Sequence, residues 1–414
     1  MRTRSVTLVV GLFGVIFGFG VPGCGSSSPS STTPDASPGK DSGHPKPDSS
    51  SEPDSSNVDS GKSDSSSKDV TTSDAPTEAA CAMTLCGTAC VDTSTDGKDC
   101  GKCGHSCLGG TCTAGKCDSI TMVDPTVMMA TEIVDADTNG TVVVWGDGGD
   151  STLDQVSTPG GTKIVLVNAG PDAEIANVAM GAGGALGYTV TNPGSFNTAT
   201  LGMASSSTLA NNFGLGVYTF GLAWDSLGKN AFINIIPSLT AGPYELLTCP
   251  AAGGCSAIVS TPGANPVLSD VAASSAAVVF GDRVANNVNV YDPTTMKLSA
   301  TISSQANVYY VAADTKNVYW TTSVATVNGI FSAAIGSTTV TTVLAATIDT
   351  PIYGLATDGT NLYYVNSLGL YYVPVGGAST PTVIDTTGEF YGVKYANNAL
   401  VYWTGQGIYL IATP

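Results

Sequence analysis

Eleven cysteines and two histidines are the residues of this 414-residue chain whose types could do chemistry. Eight cysteines crowd together as Cys81, Cys86, Cys90, Cys100, Cys103, Cys107, Cys112 and Cys117. Cys249 and Cys255 flank Pro250-Ala251-Ala252-Gly253-Gly254, and Cys24 stands alone behind an apolar N-terminal segment. Thiols serve as metal ligands, nucleophiles or disulfides. Cys100, Cys103 and Cys107 have ligand-like spacing, with His105 between the last two. A zinc site wants two separated close pairs of thiolates, and an oxidising compartment removes free thiolates, so disulfides are the expected state. So short a stretch cannot build a sufficient core alone, and small exported domains use disulfides instead. Which of the eight pair with which is left open. Cys249 and Cys255 read as a local disulfide clipping two strands across a hairpin turn.

The two histidines, His44 and His105, both precede residue 119, so the large C-terminal region has no imidazole. That removes the commonest acid–base side chain and any Ser-His-Asp or Cys-His pair within it. Asp135-Ala136-Asp137-Thr138-Asn139-Gly140 looks like the start of a calcium loop, making Asp135, Asp137 and Asn139 the candidate metal ligands. No Glu stands at the twelfth position, and the segment matches turns at Asp314 and Asp358 where Asp and Asn satisfy the backbone. No cofactor is expected, and calcium is the one left open. Asp147, Asp150 and Asp154 add negative charge of the kind a solvated loop carries.

The formal net charge is −18, and residues 119–414 hold nineteen Asp or Glu against six Lys or Arg. Nucleic acid demands the opposite sign and is excluded as a partner. Anionic lipid head groups are disfavoured for the same reason.

Arg2 and Arg4 precede an uncharged apolar run from Val6 to Val21, too short for a spanning helix but suited to an export signal. Val21-Pro22-Gly23-Cys24 resembles the lipobox of bacterial lipoproteins, with Pro22 a departure from the usual small residue. The resemblance implies a diacylated Cys24 as mature N-terminus, and Gly25 rather than Asp implies the outer membrane, at the cell surface or periplasmic face. The alternative is a secreted chain with an unmodified Cys24. Residues 24–78 are Ser, Pro and Asp-rich without an aromatic residue, and cannot bury enough apolar area to order themselves. The expected plan is a signal peptide at 1–23, a disordered tether at 24–78, a disulfide-rich module at 79–118 and a repeat domain at 119–414.

The repeats set the fold. Val311-Ala312-Ala313-Asp314-Thr315-Lys316-Asn317-Val318-Tyr319-Trp320 matches Leu355-Ala356-Thr357-Asp358-Gly359-Thr360-Asn361-Leu362-Tyr363-Tyr364: strand, Asp-centred turn, strand ending in an aromatic. Weaker copies end at Trp145, Tyr188, Ile233, Phe280 and Trp403, with anchors 39 to 47 residues apart. Two further strands follow most anchors, and four short strands per such period describe a β-propeller blade. The last copy stops after three strands, and residues 119–123 sit where a fourth would belong. An all-β chain with a seven-bladed propeller is expected, the weak second and third copies leaving six or eight open. Val318-Tyr319-Trp320-Thr321 and Val401-Tyr402-Trp403-Thr404 resemble the Tyr-Trp-Thr-Asp motif of receptor-type propellers, with Thr322 and Gly405 in place of Asp. The cysteine run resembles a small module of bacterial surface proteins whose function is unassigned.

The expected function is a lipid-anchored cell-surface binding or scaffolding protein. It would be held to the membrane through its N-terminal acyl chains and would bind an extracellular protein or glycan. A calcium-dependent propeller hydrolase or lyase is one alternative, and a purely structural envelope component another. Carboxylates lining the channel would favour catalysis, whereas an aromatic or apolar rim would favour binding.

Overall fold

The computed structural model describes residues 83–414, apart from 124–132, 158–160, 172, 192–193, 204–206, 215–216, 237–243, 262–267, 284, 325–326, 346–350 and 378–379. The signal segment, Cys24, His44, the tether and Cys81 therefore lie outside the described residues. Seven four-stranded antiparallel sheets follow one another, forming a seven-bladed β-propeller with a single short helical turn among the described residues. The innermost strands are Ile133–Thr138, Glu174–Met180, Tyr218–Trp224, Leu268–Ala273, Val308–Ala313, Ile352–Thr357 and Phe390–Ala396. No helix among the described residues is long and apolar enough to cross a membrane.

Hydrophobic burial places the blades. The seven anchor residues all lie in second strands and all are buried, Trp145 and Trp320 completely. They pack between neighbouring blades: Trp145 of blade 1 shares a cluster with Trp403 of blade 7, and Tyr364 of blade 6 one with Tyr319 of blade 5. Truncating a buried ring of this kind typically costs about 3–5 kcal/mol. The repeated Asp has a local task. Asp314 Oδ1 accepts the N–H groups of Lys316 and Asn317, while Oδ2 accepts the Tyr319 hydroxyl at 2.7 Å. Asp358 does the same for Thr360, Asn361 and Tyr363. One side chain thus caps the turn and pins the following strand.

The ring closes by joining its two ends. Ile120–Val123 pairs antiparallel with Gly407–Ala412 as the outermost strand of blade 7, Thr121 opposite Tyr409. Ile120 and Met122 are buried there against Ile408 and Leu410. Closure leaves no blade short of a strand at the seam.

The cysteine-rich module holds two short hairpins, Thr84–Cys86 with Ala89–Val91 and Cys112–Thr113 with Lys116–Cys117. Its bridges are Cys86–Cys103, Cys100–Cys112 and Cys107–Cys117, and Cys90 is disulfide-bonded as well. Cys249–Cys255 links the third strand of blade 3 to the residue just before its fourth, across the hairpin turn. His105 ties the module to the propeller: one ring nitrogen lies 2.6 Å from the Cys100 carbonyl oxygen and the other 2.7 Å from that of Thr413.

Candidate binding site at the channel mouth

All seven innermost strands carry a register shift near their starts. The slips fall between Ile133 and Asp135, Ile175 and Asn177, Thr219 and Gly221, Leu268 and Val271, Val308 and Val311, Ile352 and Gly354, and Phe390 and Gly392. An extra residue in one strand bends it and re-aims a side chain. Here the extra residues are what surrounds one mouth of the central channel: Val134, Ala176, Phe220, Asp270, Tyr309 with Tyr310, Tyr353 and Tyr391 all line a cavity of about 290 Å³. Val134, Phe220, Tyr309 and Tyr391 remain 36 to 39 % exposed, and they share one cavity, which makes them a patch rather than scattered exposed residues. Among the described residues, strand packing buries most aromatic side chains, while the bulges bring a second, half-buried to exposed set to this mouth.

A charged layer lies beneath the aromatic mouth. Asp270, Lys394 and Leu355 also line a second axial cavity of about 200 Å³, reached by Asp137 from blade 1. Lys394 Nζ donates to Asp135 Oδ2 at 2.7 Å and to the Val178 carbonyl at 2.6 Å. Burial works against the Lys394 charge, but Asp135, Asp137 and Asp270 outweigh it and hold its pKa above the ordinary value. Burial pushes the Asp137 carboxyl up to about 6 against the opposing effects of Lys394 and the N–H groups of Met180 and Thr138. Burial likewise pushes Asp270 up to about 7, opposed by Lys394 and the Val271 N–H, with Asp135 adding to the rise. Gly221 lets Asp270 approach, since a Cβ there would stand 2.7 Å from Asp270 Oδ1.

Asp135 and Asp137 thus occupy alternate positions of one strand and latch blade 1 to blade 2. Asp135 Oδ2 accepts the Val178 N–H at 2.8 Å, and Asp137 Oδ2 that of Met180 at 2.7 Å. Asn139 lies in the turn beyond, its Oδ1 taken by Thr141 and Val142. Among the described residues, the one group of three Cys, His, Asp or Glu ligand atoms within 4.8 Å of one another is Cys100, Cys107 and Cys112, all of which are in disulfides. Asp147 and Asp154 are not the solvated loop acids their sequence suggested. Both are buried strand residues, and Asp154 pairs with Lys163 at 2.8 Å. Sequence reasoning missed Lys394, Asp270 and the mouth aromatics. A signal existed: Tyr309, Tyr353 and Tyr391 each follow an apolar residue shortly before a repeat.

No protein-family profile matches the chain, and no curated protein matches it by sequence. Solved structures do resemble it. Virginiamycin B lyase from Staphylococcus aureus superposes with a TM-score of 0.56 at 9% identity, covering 72% of this chain and 98% of that one. A streptogramin B lyase gives 0.54 at 10% identity, over 72% and 97%. YCF48 bound to D1 peptide gives 0.51 at 14%, over 72% and 96%. At these identities the likeness is one of fold.

Proposed function

We propose that this chain is an exported, lipid-anchored protein whose propeller is a non-catalytic binding platform, its ligand seated at the aromatic mouth of the axial channel. The observation that carries this reading is the set of seven bulges, which turn Phe220, Tyr309, Tyr353 and Tyr391 to one opening. Exposed rings offer large, rigid contact area to a peptide loop or to the apolar face of a sugar. YCF48, a protein of similar fold, was solved bound to a peptide. A histidine-to-alanine form of the staphylococcal lyase is catalytically inactive, whereas residues 119–414 here contain no histidine. That contrast supports a platform over a lyase of that kind. The partner is an extracellular protein, with a neutral glycan as the second class.

The test uses a peptide-display library and a neutral-glycan array probed with the full chain and with its Tyr309→Ala/Tyr353→Ala/Tyr391→Ala variant. Selected binders should lose at least about tenfold in affinity with the triple variant, since three central aromatic anchors are removed. Equal binding by both proteins would sink the proposal. The anchor has its own check. Intact mass of protein from bacterial membranes should match an acylated Cys24 terminus, and Cys24→Ser should release the chain into the soluble fraction.

A catalytic reading draws on one observation, the Asp270 carboxyl pushed up to about 7 beside Lys394 in the channel. An acid poised there could exchange protons near neutrality. Turnover of an array glycan or peptide, abolished by Asp270→Asn, would replace the platform reading with this one.

A further inference from the structure

We propose that the mouth cavity is a site for an organic ammonium group, caged by Phe220, Tyr309, Tyr353 and Tyr391 and balanced by the Asp270 carboxylate. The proposal rests on the platform reading above and specifies the chemistry of its ligand.

Charge sets the sign. Asp135 and Asp270 line the cavity with Lys394 as the one cation in its lining, Arg283 stands behind Tyr309, and Asp137 stands in the cavity below. Lys394 is already committed to Asp135 and to the Val178 carbonyl. Asp270 accepts its own neighbour's N–H, from Val271, on Oδ1. No hydrogen bond among the described residues reaches its other oxygen, and the residue opens on both cavities. An incoming cation therefore meets a carboxylate with acceptor capacity to spare.

The surrounding surface decides which cation. A small divalent ion wants six or more oxygens, and no three carboxylates converge here. An alkylated ammonium is weakly hydrated for its charge and is attracted to the faces of aromatic rings. The cavity is lined by six aromatic residues, the four of the cage together with Tyr310 and Trp403. The Arg283 guanidinium lies 4.0 Å from the Tyr309 ring centroid and donates to its hydroxyl, so one face of that ring is already taken and an incoming ammonium relies on Phe220, Tyr353 and Tyr391 for most of its ring contact. A cavity of about 290 Å³ suits a compact headgroup carrying a few carbons.

The probe is tetramethylammonium, titrated calorimetrically into the purified full chain, with tert-butanol as a neutral molecule of similar shape. Tetramethylammonium should bind at least about tenfold more tightly than tert-butanol. Asp270→Asn should erase that preference, whereas Tyr353→Leu and Tyr391→Leu should each weaken the cation by several-fold and affect tert-butanol little. Unchanged far-ultraviolet circular dichroism shows that each variant is folded, and Asp270→Glu should restore part of the preference. The groups facing Asp270 are Lys394, Asp135 and Tyr310, of which Tyr310 is pushed up to about 12 by burial and by Asp270. Asp137, which lines the cavity below together with Asp270, is pushed up to about 6 by burial and so loses its proton before Asp270 as pH rises. Affinity should fall as pH drops through about 7, because protonation removes the counter-charge. A trimethyllysine-bearing peptide binding more tightly than the free ion would place the ammonium on a protein, and equal binding would place it on a small molecule. Both results support the site. Equal affinity for tetramethylammonium and tert-butanol, or no binding of either or of the peptide, overturns it. The platform reading is decided separately, by the display and array experiment.

Discussion

Replacing Lys394 by methionine is expected to lower stability by about 3–5 kcal/mol, the usual consequence of removing one partner from a buried ion pair. The side chain keeps 25% exposure and Asp135 14%, so water from the channel relieves only part of the loss. Three acids, Asp135, Asp137 and Asp270, would then face the axis with no cation among them. For a domain of this size the midpoint of thermal unfolding should drop by roughly 6–10 °C near pH 8. The pH dependence identifies the cause. Asp137 and Asp270 have folded-state values raised to about 6 and about 7 from the ordinary 3.8. Between the ordinary and raised values the folded protein binds more protons than the unfolded one. Stability from these two groups is therefore greatest at low pH and is lost as pH rises from about 4 to about 7. Lys394→Met should steepen that decline, and adding Asp135→Asn should recover part of the midpoint. A midpoint within about 2 °C of the parent at pH 8 would show that the ion pair does not hold blades 1, 2 and 7 together.

The second large effect is expected at the seam. Met122→Asp places a carboxylate in the cluster that Ile120, Ile408 and Leu410 share with Trp145 and Trp403. A charge buried without a partner is costly, and about 4 kcal/mol or more should be lost. Detaching Ile120–Val123 also bares the edge of Gly407–Ala412, so the variant should aggregate during heating where the parent does not. Thr121, exposed on the same strand, provides the comparison: Thr121→Lys should change stability by less than about 0.5 kcal/mol. Unfolding monitored by intrinsic fluorescence, with light scattering recorded alongside, separates the two variants. Matching midpoints would mean that the closing strand contributes no stability.

The blade count and the seam were readable because their causes are local and repetitive. An anchor such as Trp320 must be apolar to fill the gap between sheets, and Asp314 must stand where a turn needs capping and a tyrosine hydroxyl needs an acceptor. Both needs recur with the period and leave a visible pattern. The site was not readable in the same way. Tyr309, Tyr353 and Tyr391 have the residue type of blade packing, and only the register slip turns them outward. Such a slip depends on how two strands pair, which spacing within one strand does not record. Lys394 and Asp135 lie 259 positions apart and meet only because the ring closes. Asp154 misled for the opposite reason: its neighbours Asp147 and Asp150 suggest an acidic surface loop, yet Lys163, nine positions on, neutralises it inside the blade.

The closing strand has a mechanical meaning as well. Ile120–Val123 is the first piece of propeller that the chain reaches from its N-terminal side, so tension arriving along the preceding residues falls on the seam before any other joint. The cross-links of the cysteine-rich module make that lead-in hard to stretch, and its histidine contact with Thr413 brings the load to both ends of the ring at once. Strands of all seven blades contribute to the aromatic mouth, so its shape depends on that seam staying closed.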